Sequence, residues 1–377
     1  MSWYLRGRAD SCDTPTVPHR KSTPHAGTVN PAGRAISLKE LAKHVKLSPT
    51  TLSLVLNDSP GAASIPQETK DRIFAAAKSF NYRANFLARS LRSQRTYTVG
   101  VLVPELSEGY SAMVLSGIES FLLEQGYLYL VASHWHKPKL LGHLPRFLYE
   151  RCVEGLIGVD TPYDQHLPLP VVCISGHLRT PGVTRIVLNH TMAAELALRH
   201  LKELGHHDIA FIRGQDFSSD TKVRWDSIRH VARRMGLPVA SALVAQLGEE
   251  SPSPKPGYVA ARQLLASGKP FTALFAFNDV SAIGAMRALR EAGRRVPEDV
   301  SVVGFDNIPS AAFHIPAVTT ICQPLQRMGA LAAEVLLKRI AEPNAACPEE
   351  LVVEPELIVR ESTCPAPAQA TRRRKSA

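Results

Sequence analysis

The sequence predicts an α/β chain: a small helical module on the N-terminal side, followed by two doubly wound α/β lobes. Three observations carry this. In residues 36–82 apolar positions recur at helical spacing. From Thr98 onward, strand-like apolar runs alternate with amphipathic helical runs, in two successive series. The 377 residues also exceed what one hydrophobic core accommodates, so two or three domains are expected.

Composition sets the first limits. Hydrophobic residues make up 45% of the chain, as in soluble globular proteins. No apolar run reaches the roughly 18 residues of a membrane span. No apolar h-region with a cleavage site is visible near the N-terminus, which argues against export and for a cytoplasmic protein with no membrane partner. The cysteines Cys12, Cys152, Cys173, Cys322, Cys347 and Cys364 are scattered, with no CxxC pair and no Cys/His cluster at zinc spacing. Neither a metal nor a cofactor is expected. Residues 34–96 carry eleven Lys/Arg against four Asp/Glu, and residues 363–377 carry four against none. Residues 97–362 are net acidic by three. A basic module beside a mildly acidic body suits phosphate binding by that module.

Residues 1–35, rich in Pro, Ser, Thr, Arg and His and without periodicity, read as a disordered extension. Ile36 to Asn57, ISLKELAKHVKLSPTTLSLVLN, reads as two short helices. Ser37 can cap the first, and Glu40 can reach back to close a capping box. Leu38, Leu41, Ala42 and Val45 form one apolar face. Lys46 and Leu47 turn the chain. Ser48 is an N-cap, and Pro49 suits the first helical position, where no backbone donor is needed. Leu52, Val55 and Leu56 face inward, leaving Pro49, Thr50, Ser53, Leu54 and Asn57 outward. The spacing fits a helix-turn-helix whose second helix enters a DNA major groove, and equally an ordinary helical hairpin. In PQETKDRIFAAAKSFNY, Ile73, Ala76, Ala77 and Phe80 make a third face that covers the first two. NFLARSLR, Asn85 to Arg92, is a short potential helix whose Phe86, Leu87 and Leu91 have little to bury.

The strand-like runs of the first series are TVGVLVP, YLYLVAS, GLIGVD and PVVCIS, with helical runs near 111–125 and 139–150. The second series has helices at 191–204, 221–236, 257–267 and 280–292, with strands DIAFIRG, TALFAF and VSVVGFD. These strands are apolar on both faces, as in parallel sheets covered by helices. Two series in tandem imply two lobes whose strand ends face a shared cleft, where ligands of open α/β sheets bind.

In this order the segments resemble the lactose-repressor (LacI/GalR) family of bacterial transcription regulators, over residues 36 to about 362. LAKHVKLSPTTLSLVLN is similar to the family's D-V-A-x-x-A-G-V-S-x-x-T-V-S-R-V-L-N, and FNYRANFLARSLR to its L-N-Y-x-P-N-x-x-A-R-x-L hinge. VGVLVPELSEGY resembles the first core strand. LGHHDIAFI, AFNDVSAIGAMRALREAGRRVPEDVSVVGFDN and VTTICQP resemble signatures of the C-terminal lobe. The resemblance implies a homodimer that binds a pseudo-palindromic double-stranded DNA operator, one helix-turn-helix per half-site. It also implies a periplasmic-binding-protein-like core and a hinge helix that folds on DNA and enters the minor groove. The wedging leucine is matched by Leu91 and the groove-facing alanine by Ala88, with Arg89 and Arg92 placed for phosphate or minor-groove contacts.

Some positions depart from the family pattern. Leu54 stands where an Arg is frequent, so apolar contact replaces a bidentate guanine contact. Lys46 replaces a turn glycine and is expected in a left-handed conformation. Ala84 replaces the hinge Pro, and Pro66 the Ser cap of the third helix.

By the same resemblance an effector binds between the lobes. The matching positions are Ser107, Tyr110, Arg224, Asn278, Asp306 and Gln323. Asp306 can accept hydroxyl or amine hydrogens, Arg224 can grip a hydroxyl pair or a carboxylate, and Tyr110 can stack on a ring face. The alternative for Asn278 and Asp306 is a turn or cap role at strand ends. A small polar, sugar-like effector is the first expectation. Ser175 in place of an acid, Asn189-His190 in place of Asp-Asn, and WDSI after Arg224 leave a nucleobase-like ligand, an organic acid or no ligand open.

The expected organisation is an extension over 1–35, a DNA-binding domain over 36–83, a hinge helix and linker over 84–97, a two-lobed effector and dimerisation domain over 98–362, and a basic tail over 363–377. The expected function is a DNA-binding repressor with a small-molecule sensor. A solute-binding protein shares the two-lobe fold, but it needs export and leaves Ile36–Asn57 without a role. An enzyme is disfavoured: no G-x-S-x-G, H-E-x-x-H or P-loop pattern accompanies His134, His136, His206 and His207, which read as surface or strand-end residues.

Overall fold

A computed structural model describes residues 36–57, 59–82, 90, 95–106, 109–165, 167–175, 177–248 and 253–367. Ala88, Arg89, Leu91 and Arg92 of the expected hinge, and Ser107 of the expected cleft, lie outside these residues. The chain divides into two compact units between Gln94 and Arg95.

The first unit holds α1 (Leu38–Val45), α2 (Pro49–Leu56) and α3 (Gln67–Ser79), with a 3-10 turn at Pro60–Ser64. The Ser37 N–H donates to Glu40 Oε2 at 2.7 Å and the Glu40 N–H to Ser37 Oγ at 3.3 Å, so each otherwise orphaned backbone donor is met by the other residue's side-chain oxygen. Lys46 ends α1 at φ 56°, in the left-handed conformation that a glycine adopts at lower cost. Ser48 Oγ accepts the Thr51 N–H at 3.0 Å and starts α2 with Pro49 in its first turn. Leu41, Ala42, Val45, Leu52, Val55, Ala62 and Ile73 form the buried core. Arg72 Nη2 donates to the Val45 carbonyl at 2.8 Å and ties α3 to the last turn of α1. Pro66 precedes α3 without a side-chain cap.

The second unit contains two six-stranded sheets. The first has the order β11-β5-β4-β3-β1-β2, built from β1 (Thr98–Val103), β2 (Leu128–Ser133), β3 (Leu156–Val159), β4 (Val171–Ile174), β5 (Val183–Leu188) and β11 (Glu350–Val353). All its pairings are parallel. The second has the order β12-β10-β9-β8-β6-β7, from β6 (Ile209–Arg213), β7 (Val244–Gln246), β8 (Ala273–Phe275), β9 (Ser301–Asp306), β10 (Thr319–Cys322) and β12 (Glu356–Ile358). Only its edge strand β12 is antiparallel. The covering helices are α4 (Tyr110–Glu124), α5 (Pro138–Glu150), α6 (His190–Glu203), α7 (Ser219–Arg234), α8 (Lys255–Ala266), α9 (Asp279–Glu291), α10 (Pro309–Phe313) and α11 (Leu325–Ala341). Among the described residues no helix is long and apolar enough to cross a membrane.

The lobes are not simply in tandem. After β10 the chain returns to the first lobe, where Leu325, Met328, Ala332, Ala333 and Leu336 of α11 join its core. It then adds β11 to the first sheet and β12 to the second. Helices α4 and α11 touch backbone to backbone: a Cβ on Gly117 would collide with the Gln326 carbonyl, and one on Gly329 with the Val114 carbonyl. Strands β5, β7, β10, β11 and β12 escaped the periodicity reading. Arg185 interrupts the apolar run of β5, and its charge is met by Glu350 Oε2 at 2.7 Å, from a strand far along the chain. β2 corrects the expectation of strands covered on both faces. It is the edge strand, and Leu128 and Leu130 are 65% and 41% exposed.

Candidate functional site

In the first unit, α2 presents Pro49, Thr50 and Asn57 to solvent, with Ser53 half-buried. Asn57 Nδ2 donates to the Ser53 carbonyl at 2.7 Å and to Ser53 Oγ at 3.2 Å, which orders the C-terminal end of this helix. Leu54 departs from the outward reading: it is half-buried and rests on Gly61. A Leu fits there because the glycine leaves room for its methyl groups.

In the second unit the C-terminal strand ends of both sheets meet at a cleft of about 600 Å³. Parallel sheets place ligand sites there because the turns after the strands are free to vary. Asp160 after β3 (φ 40°), Asp306 at the end of β9 (φ 105°), and Trp135 and His136 after β2 (φ 51° and 50°) all hold left-handed backbone. Strained conformations of this kind gather at binding sites, where the surrounding fold enforces them. Tyr110 opens α4, lines the cleft, and shares a 2.7 Å hydrogen bond with Ser175 Oγ. Burial pushes its hydroxyl well above the usual tyrosine range.

Asp306 lines the cleft, and Gln323 Nε2 donates to its Oδ1 at 2.6 Å. Burial pushes the Asp306 carboxyl up to about 7, against the pull of Arg224. Gln323 is fully buried and does not line the cleft; it supports Asp306 from behind. Asn278 lines the cleft and also caps α9, its Oδ1 accepting the Ser281 N–H at 2.8 Å. The cap role and the site position therefore coincide.

Arg224, in α7, is buried. Its Nη1 donates to the Phe277 carbonyl at 2.5 Å and its Nη2 to Asp220 Oδ2 at 3.1 Å. Its guanidinium carbon lies 3.7 Å from the Phe305 ring centroid and 4.4 Å from that of Phe277. Two of its three nitrogens thus already serve the protein, and Nε is without a hydrogen-bond partner among the described residues.

The sequence reading missed several cleft residues. Asp160 Oδ1 accepts hydrogen bonds from the Ser219 N–H at 2.9 Å and from its hydroxyl at 2.6 Å, and so joins the lobes. Burial and the neighbouring Asp220 charge push the Asp160 carboxyl up to about 7. Burial opposes the charge of Asp220, but His190, His177 and Arg224 outweigh it and hold that carboxyl well below the usual range. His136 stacks on Phe217 of the opposite lobe with ring centroids 4.0 Å apart. Trp135 and Phe277 add further aromatic surface. Only the left-handed turns and the folding of two lobes onto each other bring these residues together. His134 directly follows β2 and His206 lies in the turn before β6, and both are buried.

Comparison with known proteins agrees with this architecture. The family described as bacterial regulatory proteins, lacI family, matches residues 37–85, and the periplasmic binding protein-like domain matches residues 198–363. The HTH-type transcriptional repressor PurR of Yersinia pestis bv. Antiqua (strain Antiqua) is 33% identical over 347 residues, covering 89% of this chain and 99% of that protein. PurR of Aliivibrio fischeri (strain MJ11) is 32% identical over 336 residues, covering 86% and 98%. The lac repressor dimer bound to operator and the anti-inducer ONPF superposes with a TM-score of 0.77 at 25% identity, over 88% of this chain and 100% of that one. A transcriptional regulator CelR–cellobiose complex gives 0.63 at 28% identity, over 87% and 99%. The chain belongs to the lacI family of bacterial regulatory proteins.

Proposed function

We propose that this chain is a homodimeric cytoplasmic repressor that binds operator DNA through α2 and is regulated by an uncharged small polar ligand, of carbohydrate class, in the interlobe cleft. It has no enzymatic turnover of that ligand. The relatives are named transcriptional repressors, and one solved relative is a dimer on its operator. Other solved relatives carry cellobiose or ribose.

One observation carries the ligand class. Four carboxyl groups line the cleft against Arg224 and Lys137: Glu105 and Asp220, and Asp160 and Asp306, whose pKa values are pushed up to about 7; Arg224 is already paired. An anionic ligand would meet net negative charge. Hydroxyl hydrogens would meet acceptors, and the aromatic faces of Tyr110, Trp135 and Phe277 would pack on a ring. The ligand regulates by binding one arrangement of the lobes better than the other, which shifts their populations.

The test is the unfolding midpoint against sugars, nucleobases and organic acids, followed by operator binding with and without any hit. A sugar that raises the midpoint and changes operator affinity supports the reading. A hit confined to organic acids overturns the ligand class. Binding with no effect on operator affinity overturns the regulatory role.

A further inference from the structure

Behind the cleft, three side chains far apart in sequence converge. His177 follows β4 in the first lobe, His190 opens α6 where the chain enters the second lobe, and Asp220 lies in the first turn of α7. His177 Nε2 lies 2.7 Å from Asp220 Oδ1, and His190 Nε2 lies 3.4 Å from the same oxygen. One ligating atom from each residue falls within 4.8 Å of the other two.

A second observation points to a ligand. The His190 side chain is 2% exposed, yet its Nδ1 has no hydrogen-bond partner among the described residues and its Nε2 has only the 3.4 Å contact to Asp220 Oδ1, without hydrogen-bond alignment. Buried polar groups are nearly always satisfied, and an orphaned one in a native fold calls for an explanation such as an ion. We propose that His177, His190 and Asp220 form a divalent transition-metal site, of zinc type, that bridges the two lobes.

The geometry suits the ion. In a tetrahedral zinc site with bonds of about 2.1 Å, donor atoms lie about 3.4 Å apart. The His190–Asp220 spacing already has this value, and the His177–Asp220 pair needs to open by about 0.7 Å. Two imidazoles and a carboxylate are the donor set that zinc takes when one position stays open for water or another ligand. The remaining Asp220 oxygen is held by Arg224 Nη2 at 3.1 Å, which turns Oδ1 toward the histidines, as outer partners of metal ligands do. Asp160 and Asp306 lie close enough to feel the Asp220 charge, so a dication would enter a cluster of acids with one neighbouring Arg. Because His177 belongs to one lobe and Asp220 to the other, the ion binds only when they approach and stabilises that arrangement. Asp220 also lines the cleft, so an ion held there changes the charge that the effector meets.

The test uses the full-length dimer stripped with chelator. Zn2+ alone is expected to raise the unfolding midpoint of the wild type. Co2+ is expected to give tetrahedral d–d bands at one ion per chain, without thiolate charge-transfer bands. His177→Ala, at the half-exposed ligand, is expected to fold, to lose about tenfold or more in metal affinity, and to lose the bands. His190→Ala serves as a second variant where it folds. Unchanged Co2+ bands in His177→Ala overturn the proposal, because the ion then sits elsewhere. Thiolate bands, or a folded wild type whose midpoint ignores Zn2+, overturn it as well.

Discussion

Asp160 Oδ1 accepts both the backbone N–H and the hydroxyl of Ser219, at 2.9 and 2.6 Å, so the end of β3 in one lobe is bound to the first turn of α7 in the other. An acceptor shared in this way favours the closed cleft, since opening strips a half-buried carboxyl of two donors. Ser219→Ala keeps the N–H bond and removes the hydroxyl. A net loss of roughly 1–2 kcal/mol is expected, about tenfold in the closed population. Effector titration by calorimetry should show affinity weakened by that factor, with operator binding by the ligand-free protein changed far less. Wild-type effector affinity would mean that this pair does not restrain the lobes.

Asp306 is the carboxyl that faces the cleft with a dedicated support behind it. Asp306→Ala is expected to abolish the effector response of operator binding while leaving operator affinity itself intact. Gln323→Leu, which removes the supporting donor without touching the cleft, should weaken the response and not abolish it. An unaltered dose–response curve in Asp306→Ala would move the ligand site away from this strand end.

The exposed residues of α2 give a separate prediction. Thr50→Ala combined with Ser53→Ala should lower specific operator affinity by roughly 1–3 kcal/mol per lost base contact, with little effect on non-specific DNA binding. Fluorescence anisotropy at two salt concentrations separates the two effects. Circular dichroism should show no loss of helix, because the core residues Leu41, Leu52, Val55 and Ile73 are untouched. The Leu91 wedge implied by the family pattern can be tested in parallel, with Leu91→Ala expected to weaken operator binding in a folded dimer.

His134 makes a prediction about pH. Its Nδ1 accepts the His136 N–H at 3.1 Å, its Nε2 lies 3.0 Å from Thr161 Oγ1, and that hydroxyl donates to the Val159 carbonyl at 2.8 Å. This chain of bonds requires the neutral ring, with its hydrogen on Nε2. Burial, reinforced by the facing His136, lowers the His134 pKa to about 4. Burial lowers that of His136, which faces Glu105 and Phe217, to about 4 as well. A base whose pKa is depressed on folding contributes stability that is present above the unfolded value near 6.5 and is lost as pH falls toward 4. Denaturant unfolding should therefore show stability declining over that window. His134→Asn should be less stable at pH 7.5 but decline less steeply. An equal slope in both proteins would mean that His134 titrates normally.

Much of the local structure was legible because its causes are local. The Ser37–Glu40 box, the left-handed Lys46, the Ser48–Pro49 helix start and the apolar faces of α1 to α3 all follow from residues a few positions apart. Six lobe helices, α4 to α9, begin only one or two residues before the periodic runs that predicted them, whereas α11, the longest, was not predicted. The site was legible only in part. Tyr110, Asn278 and Asp306 were found through family motifs, while Asp160, Asp220, His136 and Phe217 carry no motif of their own.

The sequence by itself determined the helices of the first unit and most elements of the lobes, the helical caps, the separation of a basic helical unit from an acidic α/β body, and the family. Tertiary structure alone decided that α11 and β11 return to the first lobe, that Glu350 neutralises Arg185, and that Arg224 is held between Phe305 and Phe277. It alone brought His177, His190 and Asp220 to one point. The physical reason is range. Periodicity and capping report interactions across one or two helical turns, whereas strand order, charge pairing and ligand geometry arise from residues tens to more than a hundred positions apart, which only packing brings together.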